Sequence, residues 1–218
     1  MTTPIDRTVQ LTARGLQAAL VEDLTELFKD DRFKTPEYLT AEELSQRADA
    51  ATGTHAQQYR DALREDIHQH RMAAPLAYPQ YLPLRETKSP TPPEDDEDLE
   101  PFPPPGDDDE ETDPFPYILV RLDSGGIESQ TDAHRIAVIL LVGIFDDDPI
   151  NQGHVAVMEI LERIQRHYTE TPVLGAFQVR DPIRWYLQDE ASYPYFFGAM
   201  DLTFSAPAPR ITAVEDLT

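Results

Sequence analysis

The residues best placed to do chemistry are three consecutive carboxylates, Asp146, Asp147 and Asp148, at the end of the most apolar stretch of the chain. Acids at a strand end are where metal-dependent enzymes often keep their ligands, and such a site would be Asp146 to Asp148 acting on a bound divalent ion. A turn followed by a helix cap is the plainer reading, with Asp148–Pro149 as N-cap and first-turn proline. A nuclease would pair such acids with a lysine, and the three lysines (Lys29, Lys34, Lys88) all precede the apolar stretch. His68 and His70 fall on different faces of an expected helix and read as solvated surface side chains. His134, His154 and His167 are scattered, and none accompanies a serine in a strand-to-helix elbow. No phosphate-cradling glycine motif occurs. The expectation is therefore no catalytic set, no cofactor and no resident metal.

Aromatic residues form the second candidate group. Trp185 and the run Tyr193, Tyr195, Phe196 and Phe197 would stack on bases, pack in a core or form a protein contact. The charge speaks against bases, because 41 acids face 18 bases and the formal charge is -23. Twelve acids lie in Glu94 to Asp113 without one Lys or Arg, so the remainder still carries -11. An acidic surface suits basic protein partners, or DNA that must pass without sticking. Charge alone would also fit a DNA-mimic inhibitor, which has no use for so apolar a sheet.

Cysteine is absent, which excludes disulfides, thiolate zinc sites and thiol catalysis. Met1 to Gln10 shows no basic-then-apolar leader, and Ile136 to Phe145 falls far short of the ~20 residues of a spanning helix. The expectation is a soluble protein made in the cytoplasm.

The elements that must position these residues follow from periodicity. Leu16, Leu20, Leu24, Leu27 and Phe28 recur at helical spacing. Thr40 with Glu43 reads as a capping box opening a second helix, and Tyr59, Leu63 and Ile67 mark a third that ends near Arg71. Residues 36–72 thus read as a helical insertion with little apolar content. Residues 75–93 hold too many prolines for a helix or a central strand and are expected to run extended.

"YILVRLD" reads as a strand, "DSGG" as a turn, and "RIAVILLVGIF" as a mid-sheet strand covered on both faces, Ile136/Val138/Leu140/Val142/Ile144 and Ala137/Ile139/Leu141/Phe145. A helix over about 151–168 follows, with Val157, Leu161, Ile164 and Tyr168 on one side. "AFQV", "IRWYL" and "FGAMDLTF" complete the strands. The fold class expected is α+β, an antiparallel or mixed sheet packed with two helices. The acidic proline-rich stretch, residues 88–114, has nothing to bury and is expected as a loop inside one domain spanning residues 1–218, since the first helix precedes it and the sheet follows it.

The ordered set "DPFPYILVRLDSG", "RIAVILLVGIFDDDPINQGHVAVMEILERIQRHY" and "PIRWYLQDEASYPYFFGAMDLTFSAP" resembles the tail-terminator, or tail-completion, proteins of long-tailed bacteriophages. The likeness covers about residues 114–207, and "YLPLRET" also fits, whereas residues 36–71 depart from the pattern. The resemblance implies a structural virion protein at the head–tail junction, assembled in the host cytoplasm. Its ring, usually a hexamer, ends growth of the tail tube and offers a docking surface to a head-side connector protein. The partners expected are other copies of the chain, the tail-tube protein and that connector, with DNA passing through the channel without specific binding. The aromatic residues named above are the expected contact set. The acids Glu94, Asp95, Asp96, Asp107, Asp108 and Asp109 are expected either to line the channel or to meet a basic neighbour outside it. A head-completion protein at the same joint is the nearest alternative.

Overall fold

The computed structural model describes residues 11–50, 69–83, 114–129, 132–148, 153–190 and 192–207. Helix α1 (Ala13–Phe28) begins at Thr12, whose hydroxyl accepts the Gly15 N–H at 3.1 Å, and it buries Leu16, Leu20, Leu24 and Phe28. Strand β1 (Phe33–Tyr38), helix α2 (Ala41–Ala50), and strands β2 (His70–Ala73) and β3 (Leu76–Pro79) follow. The later elements are β4 (Tyr117–Gly126), β5 (His134–Phe145), helix α3 (His154–Glu170), β6 (Val173–Leu174), β7 (Phe177–Leu187) and β8 (Tyr195–Ala206). Two sheets result: a ribbon of β1 and β2, and six strands in the order β3-β4-β5-β8-β7-β6. Only β3 and β4 run parallel in the larger sheet. The class is α+β.

Cross-strand partners point to the same side of a sheet, so the register assigns the faces. Ile118, Val142 and Gly198 share one row, and helices α1 and α3 lie on that side. Helix α1 packs on β3 and β4, while α3 packs on β5, β7 and β8. Helix α3 comes close because Gly198 has no side chain: a Cβ there would sit 2.6 Å from Val157 Cγ1. One apolar cluster joins Leu16 to Phe28 with Ile118 to Phe204, so elements on both sides of the acidic run share a core. Polar clamps tie the helices together. Asp23 accepts from Tyr168 Oη at 2.9 Å and pairs with His167 Nε2 at 3.0 Å, and Arg163 bridges Asp31 and the Leu27 carbonyl.

Several local expectations are corrected. Strand β5 is covered by helices on one face only; Ala137, Ile139 and Leu141 on the other remain half-buried. "DSGG" continues β4 through a register shift between Leu122 and Ser124 instead of turning. "AFQV" and "IRWYL" are one strand, β7, interrupted between Arg180 and Arg184 where Pro182 brings no N–H to the ladder. Asp148 does not cap α3, whose N-cap is Gly153. The Thr40–Glu43 capping box is present, with the Thr40 N–H on Glu43 at 2.8 Å, yet the insertion also holds the strands β1 and β2. The third helix expected there, around Tyr59 to Ile67, lies outside the described residues.

The large sheet ends in two short strands, and past Gln178 the outer edge of β7 has no strand beside it among the described residues. β6 is two residues long, and β3 follows Pro75 and ends at Pro79, as suits prolines on an edge. Beyond β3 the free edge of β4 is closed by a side chain: Gln80 Oε1 accepts the Leu122 N–H at 2.9 Å. Gln80 holds a left-handed backbone, φ 62°, to do this. Gln80→Ala keeps that backbone cost and leaves the N–H unpaired, for an expected loss of about 1–2 kcal/mol. Gln80→Gly relieves the backbone and should recover part of the loss, a ranking that denaturant titration of the two variants checks.

Candidate interface: the open sheet face and its aromatic end

The face of the sheet turned from the helices carries no helix of its own among the described residues. Its rows are read across β4, β5, β8 and β7. Leu119, Leu141, Ala199 and Tyr186 form an apolar row, and Arg121, Ile139, Asp201 and Arg184 form the next. Tyr186 is 48 % exposed, and Leu141 and Ala199 are half-buried. Leu119 is buried, but the rest of the row meets water, and an apolar row left in contact with water is the kind of surface that partners cover.

At one end of this face the aromatic residues gather. Phe115 lies 4.9 Å from Tyr195, 5.1 Å from Tyr117 and 5.9 Å from Phe197, ring centre to ring centre. Tyr195 in turn meets Phe145 at 5.6 Å, Phe145 meets His70 at 5.0 Å, and His70 meets Tyr38 at 4.3 Å. Tyr117 folds over Gly143, where a Cβ would lie 2.4 Å from its ring. Through this stack the β1–β2 ribbon is joined to the end of β5.

Of the sequence candidates, the structure brings Tyr195 and Phe197 together in the stack. Phe196 faces the helices and packs on the core beside Gly153. Trp185 pairs with Met200, on the helix side, and is 40 % exposed. Tyr193 is exposed, and its hydroxyl donates to the Asp147 carbonyl. Glu94, Asp95, Asp96, Asp107, Asp108 and Asp109 lie outside the described residues. The row Leu119, Leu141, Ala199 and Tyr186 was not singled out from the sequence. Alternation places Leu141 on one face of its strand, but only the register could align it with the others.

The carboxylates at the end of β5 do meet a lysine. Lys34 Nζ donates to Asp146 Oδ1 at 3.0 Å and to Asp147 Oδ1 at 3.1 Å, across 112 and 113 residues of sequence. His70 is buried rather than solvated, and its Nε2 lies 2.8 Å from Asp147 Oδ2. A carboxylate only accepts, so Nε2 carries the hydrogen there, and Nδ1 is buried without a partner among the described residues. Asp146 Oδ1 also accepts the Asp148 N–H at 3.1 Å. The group therefore works as an internal ion pair that latches ribbon to sheet, with the ammonium standing where a cation would. Among the described residues no cluster of three or more His, Asp and Glu has the geometry to hold a metal ion.

Burial pushes the Asp147 carboxyl up, but hydrogen bonds from His70 and Lys34 outweigh it and hold the group below its ordinary 3.8. Lys34 is opposed by burial and raised above its ordinary 10.5 by the same two aspartates. A depressed acid stabilises above its unfolded value and loses that contribution as pH falls through the folded one. A raised lysine stabilises below 10.5 and loses its contribution as pH rises through its folded value. Asp147→Asn should therefore cost about 1 kcal/mol at neutral pH, the pair being partly screened by solvent. The difference from wild type should shrink in melts taken progressively below pH 4, once the native carboxylate is itself protonated.

No described helix is long and apolar enough to cross a membrane. Compared with protein-family models the chain matches none, and comparison with curated proteins returns no match.

Proposed function

We propose that the chain is a ring-forming structural protein that caps a phage tail tube and offers the head–tail joining surface around a DNA channel. The observation that carries this reading is the open face, an apolar row beside an aromatic end. A subunit with such a face has a surface through which copies can associate. Repeated head-to-tail contacts between unlike faces close into a ring when the rotation between copies allows. The acidity fits a channel that DNA traverses without adhering. The order of strands, helix and aromatic run resembles the tail-terminator pattern over about residues 114–207.

Sedimentation and negative-stain microscopy of the purified protein test the ring. A closed ring, hexameric in the simplest form of the proposal, is the expected particle, assembling on its own or on the tube end. A protein that stays monomeric both alone and with tube ends would remove the proposal. A ring that binds a portal–adaptor complex and ignores the tube would favour a head-completion protein.

A further inference from the structure

Charges without partners lie on opposite sides of the molecule. On the open face, beside the apolar row, Arg121, Ile139, Asp201 and Arg184 stand in line across β4, β5, β8 and β7. Neighbouring strands are about 4.8 Å apart, so Asp201 lies about 5 Å from Arg184 and Arg121 about 14 Å from it. The line therefore runs positive, apolar, negative, positive. Both arginines are exposed, and none of the three charged residues has an ion-pair partner among the described residues.

Helix α3 turns a stripe of its own to solvent. Its buried side, Val157, Ile160, Leu161, Ile164 and Tyr168, is held to the core. At about 100° per residue, Glu159, Arg166 and Glu170 fall within about 40° of one another on the opposite side. All three are exposed, and none has an ion-pair partner among the described residues. At 1.5 Å per residue, Arg166 lies about 6 Å from Glu170 along the axis, and Glu159 about 16 Å from it. The stripe reads negative, positive, negative at nearly the spacings at which the open face reads positive, negative, positive. Glu162, about 12 Å from Glu170 on the same stripe, falls near the place of Glu159 in that pattern. Within one subunit the sheet and the body of the helix separate the two lines, so they can meet only between copies.

We propose that the partner of the open face is helix α3 of a second copy, laid across the strands. Its Glu170 then meets Arg184, its Arg166 meets Asp201, and its Glu159 and Glu162 meet Arg121. The inference rests on the ring reading and supplies the contact that reading needs. Each copy offers α3 on one side and accepts a neighbour's α3 on the other, the head-to-tail arrangement from which rings close. Charge fixes the register of the two surfaces, and the apolar row beside it adds burial.

Charge reversal tests the pairing, one side at a time and then together. At about 20 mM salt, Arg184→Glu and Glu170→Arg should each weaken assembly about tenfold, alone or on tube ends, as read by sedimentation. The double variant Arg184→Glu/Glu170→Arg should recover most of that loss, because the pair is restored with its signs exchanged. Glu22→Arg, an exposed position on α1, should leave assembly unchanged. Melting points of all four variants should stay within about 2 °C of wild type, which separates loss of contact from loss of fold. An assembly indifferent to Glu170→Arg, or a double variant as weak as the two losses combined, would overturn the α3 contact and leave the ring standing. A protein that forms no assembly, alone or with tube ends, would remove the ring reading and this contact with it.

Discussion

Leu20→Ala should lower the stability of the whole protein by about 3 kcal/mol, within the usual 2–5 for a buried leucine, and should do so in one transition. Leu20 is fully buried on α1, in the same cluster as Ile118, Leu140 and Leu161. The helix precedes the acidic run by some seventy residues, and of the two strands on which it packs β3 precedes the run and β4 follows it, so the two parts are expected to fold as one unit. For a chain of this size the melting point should fall by about 6–12 °C. Calorimetry is the check. A separate low-temperature transition, with the sheet melting where it does in the wild type, would mean that α1 docks as an independent piece.

Leu141→Glu should have the opposite profile. Leu141 follows the fully buried Leu140 on β5 but faces the open side, between Leu119 and Ala199. A carboxylate there reaches water in the free subunit and would be stranded in any contact that covers the row. We expect assembly to weaken about 100-fold while the monomer loses less than about 1 kcal/mol. Leu140→Ala, one residue away and turned to the helices, should instead cost about 2–5 kcal/mol of stability. Sedimentation and melting of the two variants together separate interface from core. If Leu141→Glu unfolds the monomer, or leaves assembly intact, the open face is not the contact surface.

The elements with a strong period were legible in the sequence. Leu16, Leu20, Leu24 and Phe28 mark α1 at helical spacing, Val157, Leu161, Ile164 and Tyr168 mark α3, and the alternation through Phe204 marks β8. The ribbon was not legible. "FKTPEY" has no apolar alternation, and it is held by Lys34 and by a stack through His70 and Phe145, contacts made with residues more than seventy positions apart in sequence. The same distance hid the lysine at Asp146 and Asp147, since spacing rules reach a few residues and not 112. On β5 both faces are apolar in sequence, and only the placement of both helices on one side separates a covered face from an open one. The aromatic run alternates as a strand does, so Phe196 turns to the core while Tyr195 and Phe197 turn to the open side. Composition alone treats the three alike.

The claim that the chain caps a tail tube is tested most directly by tube length. The purified protein is added to its cognate tail-tube protein during polymerisation, and tube lengths are measured by negative-stain microscopy. The account predicts shortened tubes carrying a ring at one end, with Leu141→Glu failing to shorten them. Tubes of unchanged length without a ring would contradict it.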